Sequence, residues 1–147
     1  MKICLDACCL NRLTDDQDQQ RIAEGAEAVE QILRLLRTST IEWLSSTVLE
    51  AETGDNPDPE RRREVQVLLL LARNTIPLDG QIIERAKGLE AVGYGAFDAL
   101  HLSSAEAGEA NVLLTTGDRF IKRAARRVGS PHVRVVNPVE WLREQEV

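Results

Sequence analysis

Five acids in this chain stand where acids can do chemistry. Asp6 closes a short apolar run, KICLD at residues 2–6, and Asp98 opens an apolar-striped segment after Phe97. Asp118 follows Thr116 and Gly117 beyond the apolar run 112–114, and Glu50 and Glu52 lie in SSTVLEAE at residues 45–52. Singly, each is ordinary, because N-cap bonds and the helix dipole favour acids at strand-to-helix turns. Gathered at one edge they would repel one another and need a cation. Oxygen donors without histidine or cysteine select magnesium or manganese, which keep several waters and can share a phosphate with the protein. The chemistry such a group supports is phosphodiester hydrolysis by a metal-activated water.

The elements around these acids set where they go. Residues 97–118 read as helix, turn at Gly108 and buried strand, so Asp98 falls in a first helical turn and Asp118 just past the carboxyl end of a strand. Residues 2–6 read as a central strand that ends in Asp6. The following ACCLNRL is turn or a first helical turn, and a polar stretch at 14–20 precedes a long amphipathic helix. That helix carries Ile22, Ala26, Val29, Ile32, Leu33 and Leu36 at three- and four-residue spacing and ends near 38–40. Further strands are expected at 41–44, 75–78 and 133–136. Ser45, Ser46 and Thr47 cap a short helix, Asp58 with Pro59 starts one that runs to about Ala72, Asp79 starts another, and Asn137 with Pro138 starts a terminal one. Strand and helix alternate throughout, which predicts one α/β domain over 1–147, an α/β/α sandwich with a mostly parallel central sheet. Right-handed crossovers in such a sheet bring strand ends and helix starts to one edge.

Composition supports this frame. Hydrophobic residues make up 43% of the 147 positions and aromatics only 3%, so the core is aliphatic, as in a helix-covered parallel sheet. The longest apolar run, 67–72, is too short to span a bilayer, and no signal-peptide pattern precedes Cys4, so no membrane association is expected. Three cysteines cannot all pair, which points to a reducing compartment and a cytoplasmic protein. The net charge of −6 disfavours nucleic acid as a sum, yet Arg119, Lys122, Arg123, Arg126, Arg127 and Arg134 follow Asp118 without an intervening acid. That run is either a solvated face or a phosphate-binding surface.

The ordered set LDACCLNR, SSTVLEAE, FDALHLSSA and LLTTGD resembles the PIN-domain nucleases, many of which are the toxin halves of VapBC toxin–antitoxin pairs. The resemblance implies that Asp6, one glutamate, Asp98 and Asp118 hold magnesium or manganese, with Thr116 supporting the site. It implies endonucleolytic cleavage of single-stranded RNA, an antitoxin partner and a homodimer. The chain departs from the family in offering Ala7 and Cys8 where Ser or Thr often follows the first acid. Glu50 and Glu52 point roughly 200° apart on a helix, so one faces the site. Glu52 is favoured because it lies one turn beyond Val48, and Glu50 remains the alternative.

Other side chains carry two readings each. His101, one turn after Asp98, is a hydrogen-bond partner of that acid or a packed core histidine. Asn11 and Arg12 are phosphate contacts or a turn residue and a surface charge, and Arg119, Lys122 and Arg123 extend the same candidate RNA surface. Cys8 and Cys9 lack the spacing of a zinc site. A receiver or dehalogenase-type phosphotransfer protein would need a second acid close to Asp6, where Ala7 and Cys8 stand. A catalytically silent PIN fold that binds RNA or protein is the remaining competitor.

Overall fold

The computed structural model describes residues 1–13, 19–38 and 41–145. Most of the polar stretch expected at 14–20, and the last residues of the long helix expected to end at 38–40, lie outside them.

Five strands form one sheet in the order β3-β2-β1-β4-β5: β1 (Lys2–Leu5), β2 (Glu42–Ser46), β3 (Asn74–Ile76), β4 (Val112–Leu114) and β5 (Arg134–Val136). All four pairings are parallel, with Leu5 opposite Leu114 and Leu114 opposite Val136. Alternation along the strands sorts side chains into two cores. Ile3, Leu5, Trp43, Val112, Leu114 and Val136 face one layer; Cys4, Leu44, Leu113 and Val135 face the other. The first layer holds α1 (Ala7–Asn11), α2 (Gln20–Thr38), α3 (Thr47–Gly54), α4 (Pro59–Leu69) and α8 (Pro138–Gln145). The second holds α5 (Gly80–Ala91), α6 (Ala96–Ala107) and α7 (Asp118–Ala125). The result is the expected α/β/α sandwich, with a sheet that is parallel throughout its described strands.

Local chemistry starts the helices where the sequence places them. Ser46, Asp58 and Asp79 each accept a backbone N–H from the first turn of α3, α4 and α5. The segment ACCLN is a helix in its own right, because Asp6 caps it by accepting the Cys9 N–H at 3.1 Å. Helix α4 stops at Leu69 rather than near Ala72. The next three residues donate to carbonyls three positions back, a tightened last turn. Arg73 then pairs with Trp43 to lead into β3. Strand β3 ends at Ile76 because Pro77 has no N–H to continue the ladder. Among the described residues no helix is long and apolar enough to cross a membrane.

Candidate active site

From β1 the chain moves outward through β2 to β3, and β4 then returns to the other side of β1. The crevice between the carboxyl ends of β1 and β4 is therefore the switch point where parallel sheets bind ligands. Asp6 leaves β1 at that crevice and Thr115 leaves β4. The Thr115 hydroxyl donates to Asp6 Oδ2, while Oδ1 accepts the Cys9 N–H. Asp6 is 2% exposed. Burial raises its pKa above the ordinary carboxylate range, against the Thr115 bond, and the charge of Glu52 adds to the rise.

Asp98 joins Asp6 from α6. It lies in the first turn behind Gly95, a cap without a side-chain bond. Its pKa is raised by burial first, then by the charges of Asp6 and Glu52, while His101 and Arg123 oppose the shift. Glu52 comes from α3 and meets His101 at 2.9 Å through Nε2. An ionised carboxylate only accepts, so Nε2 carries the hydrogen. His101 is 5% exposed and is thus both packed in the core and bonded, to Glu52 rather than to Asp98. Cys8 stands open to solvent next to these acids. Its thiol is pushed up to about 12 by the protein packed around it and by Asp6, Glu52 and Asp98, and it stays protonated there.

The remaining acids point elsewhere. Glu50 is exposed and accepts from Thr75 Oγ1 at 3.3 Å. Asp118 is the first residue of α7 and is gripped by Arg21 of α2, whose Nη2 donates to both carboxylate oxygens at 2.7 and 2.6 Å. Arg21, then Lys122 and Arg12, hold the Asp118 pKa below its ordinary value. Arg12, Arg21, Thr116, Asp118, Lys122 and Arg143 border one cleft of about 390 Å³. Thr116 is buried at its edge, and it is Thr115 that touches Asp6. Asn11 ends α1 and Arg12 follows it as the cap. On the other side of α7, Arg119, Lys122, Arg123 and Arg126 border a second cleft of about 340 Å³. Lys122 belongs to both, so α7 forms a basic ridge, its inner residues Phe120 and Ala124 buried. Arg123 also lies over the Tyr94 ring, 5.8 Å from its centre.

Asp6, Glu52 and Asp98 thus share one electrostatic environment, and Asp118 lies in a basic one. Among the described residues no three His, Cys, Asp or Glu side chains stand in metal-ligating geometry, since Glu52 turns to His101 and Asp118 to Arg21. The donor chemistry nonetheless suits a hard divalent cation: a buried carboxyl at Asp6 and half-buried ones at Glu52 and Asp98, with Glu52 raising the pKa of both aspartates and Asp6 that of Asp98, beside a protonated thiol.

Thr115 and Arg21 were absent from the sequence-based site. The register, Leu5 opposite Leu114, is what sets Thr115 beside Asp6.

A family model for the PIN domain matches residues 3–126. No curated protein matches the chain. Among solved structures, a chain of VapBC2 from Rickettsia felis, bound to a DNA fragment from their promoter, is similar with a TM-score of 0.56 and 15% identity, over 93% of this chain and 98% of that one. A chain of VapBC-1 from nontypeable Haemophilus influenzae is similar with a TM-score of 0.61 and 16% identity, over 94% and 98%. At these identities the likeness is one of fold, and it extends over nearly all of each chain. With a family model spanning most of the sequence, on a sheet of the matching architecture, the chain belongs to the PIN-domain family.

Proposed function

We propose that the protein is an endoribonuclease that uses magnesium or manganese to cleave phosphodiester bonds of single-stranded RNA, as the toxin of a toxin–antitoxin pair. PIN domains are generally nucleases, and generally use a divalent metal. The observation that carries the reading is the gathering of Asp6, Asp98 and Glu52 at the switch point, where the charges of Asp6 and Glu52 raise the Asp98 pKa and that of Glu52 raises the Asp6 pKa. Acids held together against their mutual repulsion are explained by a ligand that neutralises them.

In this reading Asp6, Asp98 and Glu52 hold the cation, with Asp118 joining when Arg21 releases it. When bound, the cation supplies an activated water and offsets charge on the phosphate. Thr115 fixes the Asp6 carboxylate from one side and the α1 backbone from the other. His101 orients Glu52. Arg119, Lys122 and Arg123 attract and align the RNA backbone along α7, with Arg12 at the facing cleft. Asn11, next to Arg12 at the end of α1, is assigned to the same surface. An antitoxin protein, a homodimer and a cytoplasmic location belong to the same reading, and the neighbouring VapBC structures support the first of these.

One observation favours a second reading, a PIN fold kept as an RNA- or protein-binding module: Arg21 and His101 engage two of the four acids. The two readings separate on fluorescent single-stranded RNA incubated with magnesium or manganese, or with chelator. The ribonuclease reading expects cation-dependent cutting that Asp98→Asn reduces roughly 100-fold or more. Cutting that survives chelator, or no cutting by the wild type with either cation, contradicts it.

A further inference from the structure

The chain has two tryptophans, one tyrosine and two phenylalanines. Trp43, Tyr94, Phe120 and Trp141 are buried at 4% exposure or less, whereas Phe97 is 44% exposed. The one open aromatic is the residue immediately before Asp98. It sits in the first turn of α6, after Gly95 and Ala96, which are also exposed, so no bulky neighbour precedes it. Its position is supported from below. One helical turn on, the His101 ring lies at 6.3 Å between centres and 30° between planes, and His101 is buried and bonded to Glu52. Arg123 provides a cation close by: a Cβ on Gly93 would lie 3.3 Å from its Nε, and one on Gly95 would lie 3.6 Å from Asp98 Oδ2. An acid, a cation and a braced aromatic surface therefore gather around the turn that opens α6.

We infer that Phe97 is a base-stacking platform, on which the nucleobase next to the phosphodiester held at Asp98 rests, so that it positions a single strand for cleavage. The inference rests on the ribonuclease reading. Every base presents a π-face, so the platform accepts many sequences, and aromatic stacking of one base strengthens binding roughly 5- to 100-fold. A base inside a duplex is already stacked on both sides and is not available. The platform therefore favours unpaired RNA. Phe97 acts here as a positioning residue: its loss raises KM more than it lowers kcat.

The test compares wild type, Phe97→Ala and Phe97→Trp in binding fluorescent single-stranded RNA in chelator, and in cleaving it with manganese. A matched oligonucleotide with abasic riboses through its centre serves as the second substrate. The expected result is a roughly 5- to 100-fold weaker binding of intact RNA by Phe97→Ala, restored by Phe97→Trp, with little difference among the three proteins on abasic RNA. Equal losses on both RNAs, no loss, or no restoration by tryptophan overturns the platform. So does a shift from dimer to monomer in Phe97→Ala by sedimentation, which would assign the ring to an interface between copies. If wild type neither binds nor cuts RNA, the ribonuclease reading fails and the platform with it. If wild type cuts and Phe97→Ala binds and cuts equally well, the platform alone fails.

Discussion

Thr115 donates its hydroxyl to Asp6 across 109 positions of sequence, at the one place in the sheet where the chain order reverses. The bond ties the ends of β1 and β4 together at the candidate site. Thr115→Val removes the donor while keeping the shape and leaves a buried oxygen without its partner. Chemical denaturation is expected to show a loss of about 1–3 kcal/mol, with Thr115→Ser close to wild type. Because that bond lowers the Asp6 pKa, the valine variant also raises it further, which carbon-detected NMR titration of the carboxyl reads.

Asp98 makes stability depend on pH in a direction that can be worked out. Its pKa in the folded protein lies above its value of 3.8 in a free chain. Between those two values the folded protein holds more protons than the unfolded one, so stability falls as pH rises through the window. Above the raised value the loss is complete. Asp98→Asn removes the charge, so it is expected to melt higher than wild type at about pH 7, with the difference closing towards about pH 4 and below. Thermal melts of both proteins across that range would contradict this account if the gap widened on acidification.

His101 links packing to the site. His101→Ala opens a void in the core and leaves Glu52 without its donor, for an expected cost of about 2–3 kcal/mol in denaturation. Orientation of Glu52 is lost as well. At temperatures where the variant is fully folded, RNA cleavage is expected to fall roughly 10- to 100-fold, the usual effect of removing a group that orients a metal ligand.

Gly108, the cap of α6, has no room for a side chain. A Cβ there would come within 2.4 Å of Ile76 Cδ1 and 3.3 Å of Leu44 Cδ1. Gly108→Ala is expected to push α6 off the sheet edge at a cost of about 1–3 kcal/mol, read by urea denaturation. Gly88→Ala on α5, where nothing lies within 4 Å, is the matched control and is expected to be neutral or stabilising.

Much of the architecture was legible because it is written locally. Strands β1 and β4 appear as apolar runs, β2, β3 and β5 as shorter apolar or β-branched stretches, and Ser46, Asp58 and Asp79 announce their helices within three residues of the bond they make. The helix at ACCLN was ambiguous because its cap, Asp6, belongs to the preceding strand's end. The placement of Asp6 and Asp98 together follows from strand-end and helix-start positions, which sequence shows. What it hides are partners supplied by distant elements. Arg21 reaches Asp118 from 97 positions away, and Glu52 meets His101 through the contact of α3 with α6. Thr115 rather than its neighbour Thr116 meets Asp6 because of strand register, and a shift of one residue exchanges the two faces of a strand.

If Asp6 and Asp98 stand together to hold a divalent cation, manganese binding followed by electron paramagnetic resonance will show it. Wild type is expected to bind manganese saturably, with magnesium competing, and Asp6→Asn and Asp98→Asn each to weaken binding at least about tenfold. Wild type that binds no manganese saturably, or variants that bind it as tightly as wild type, would contradict the claim.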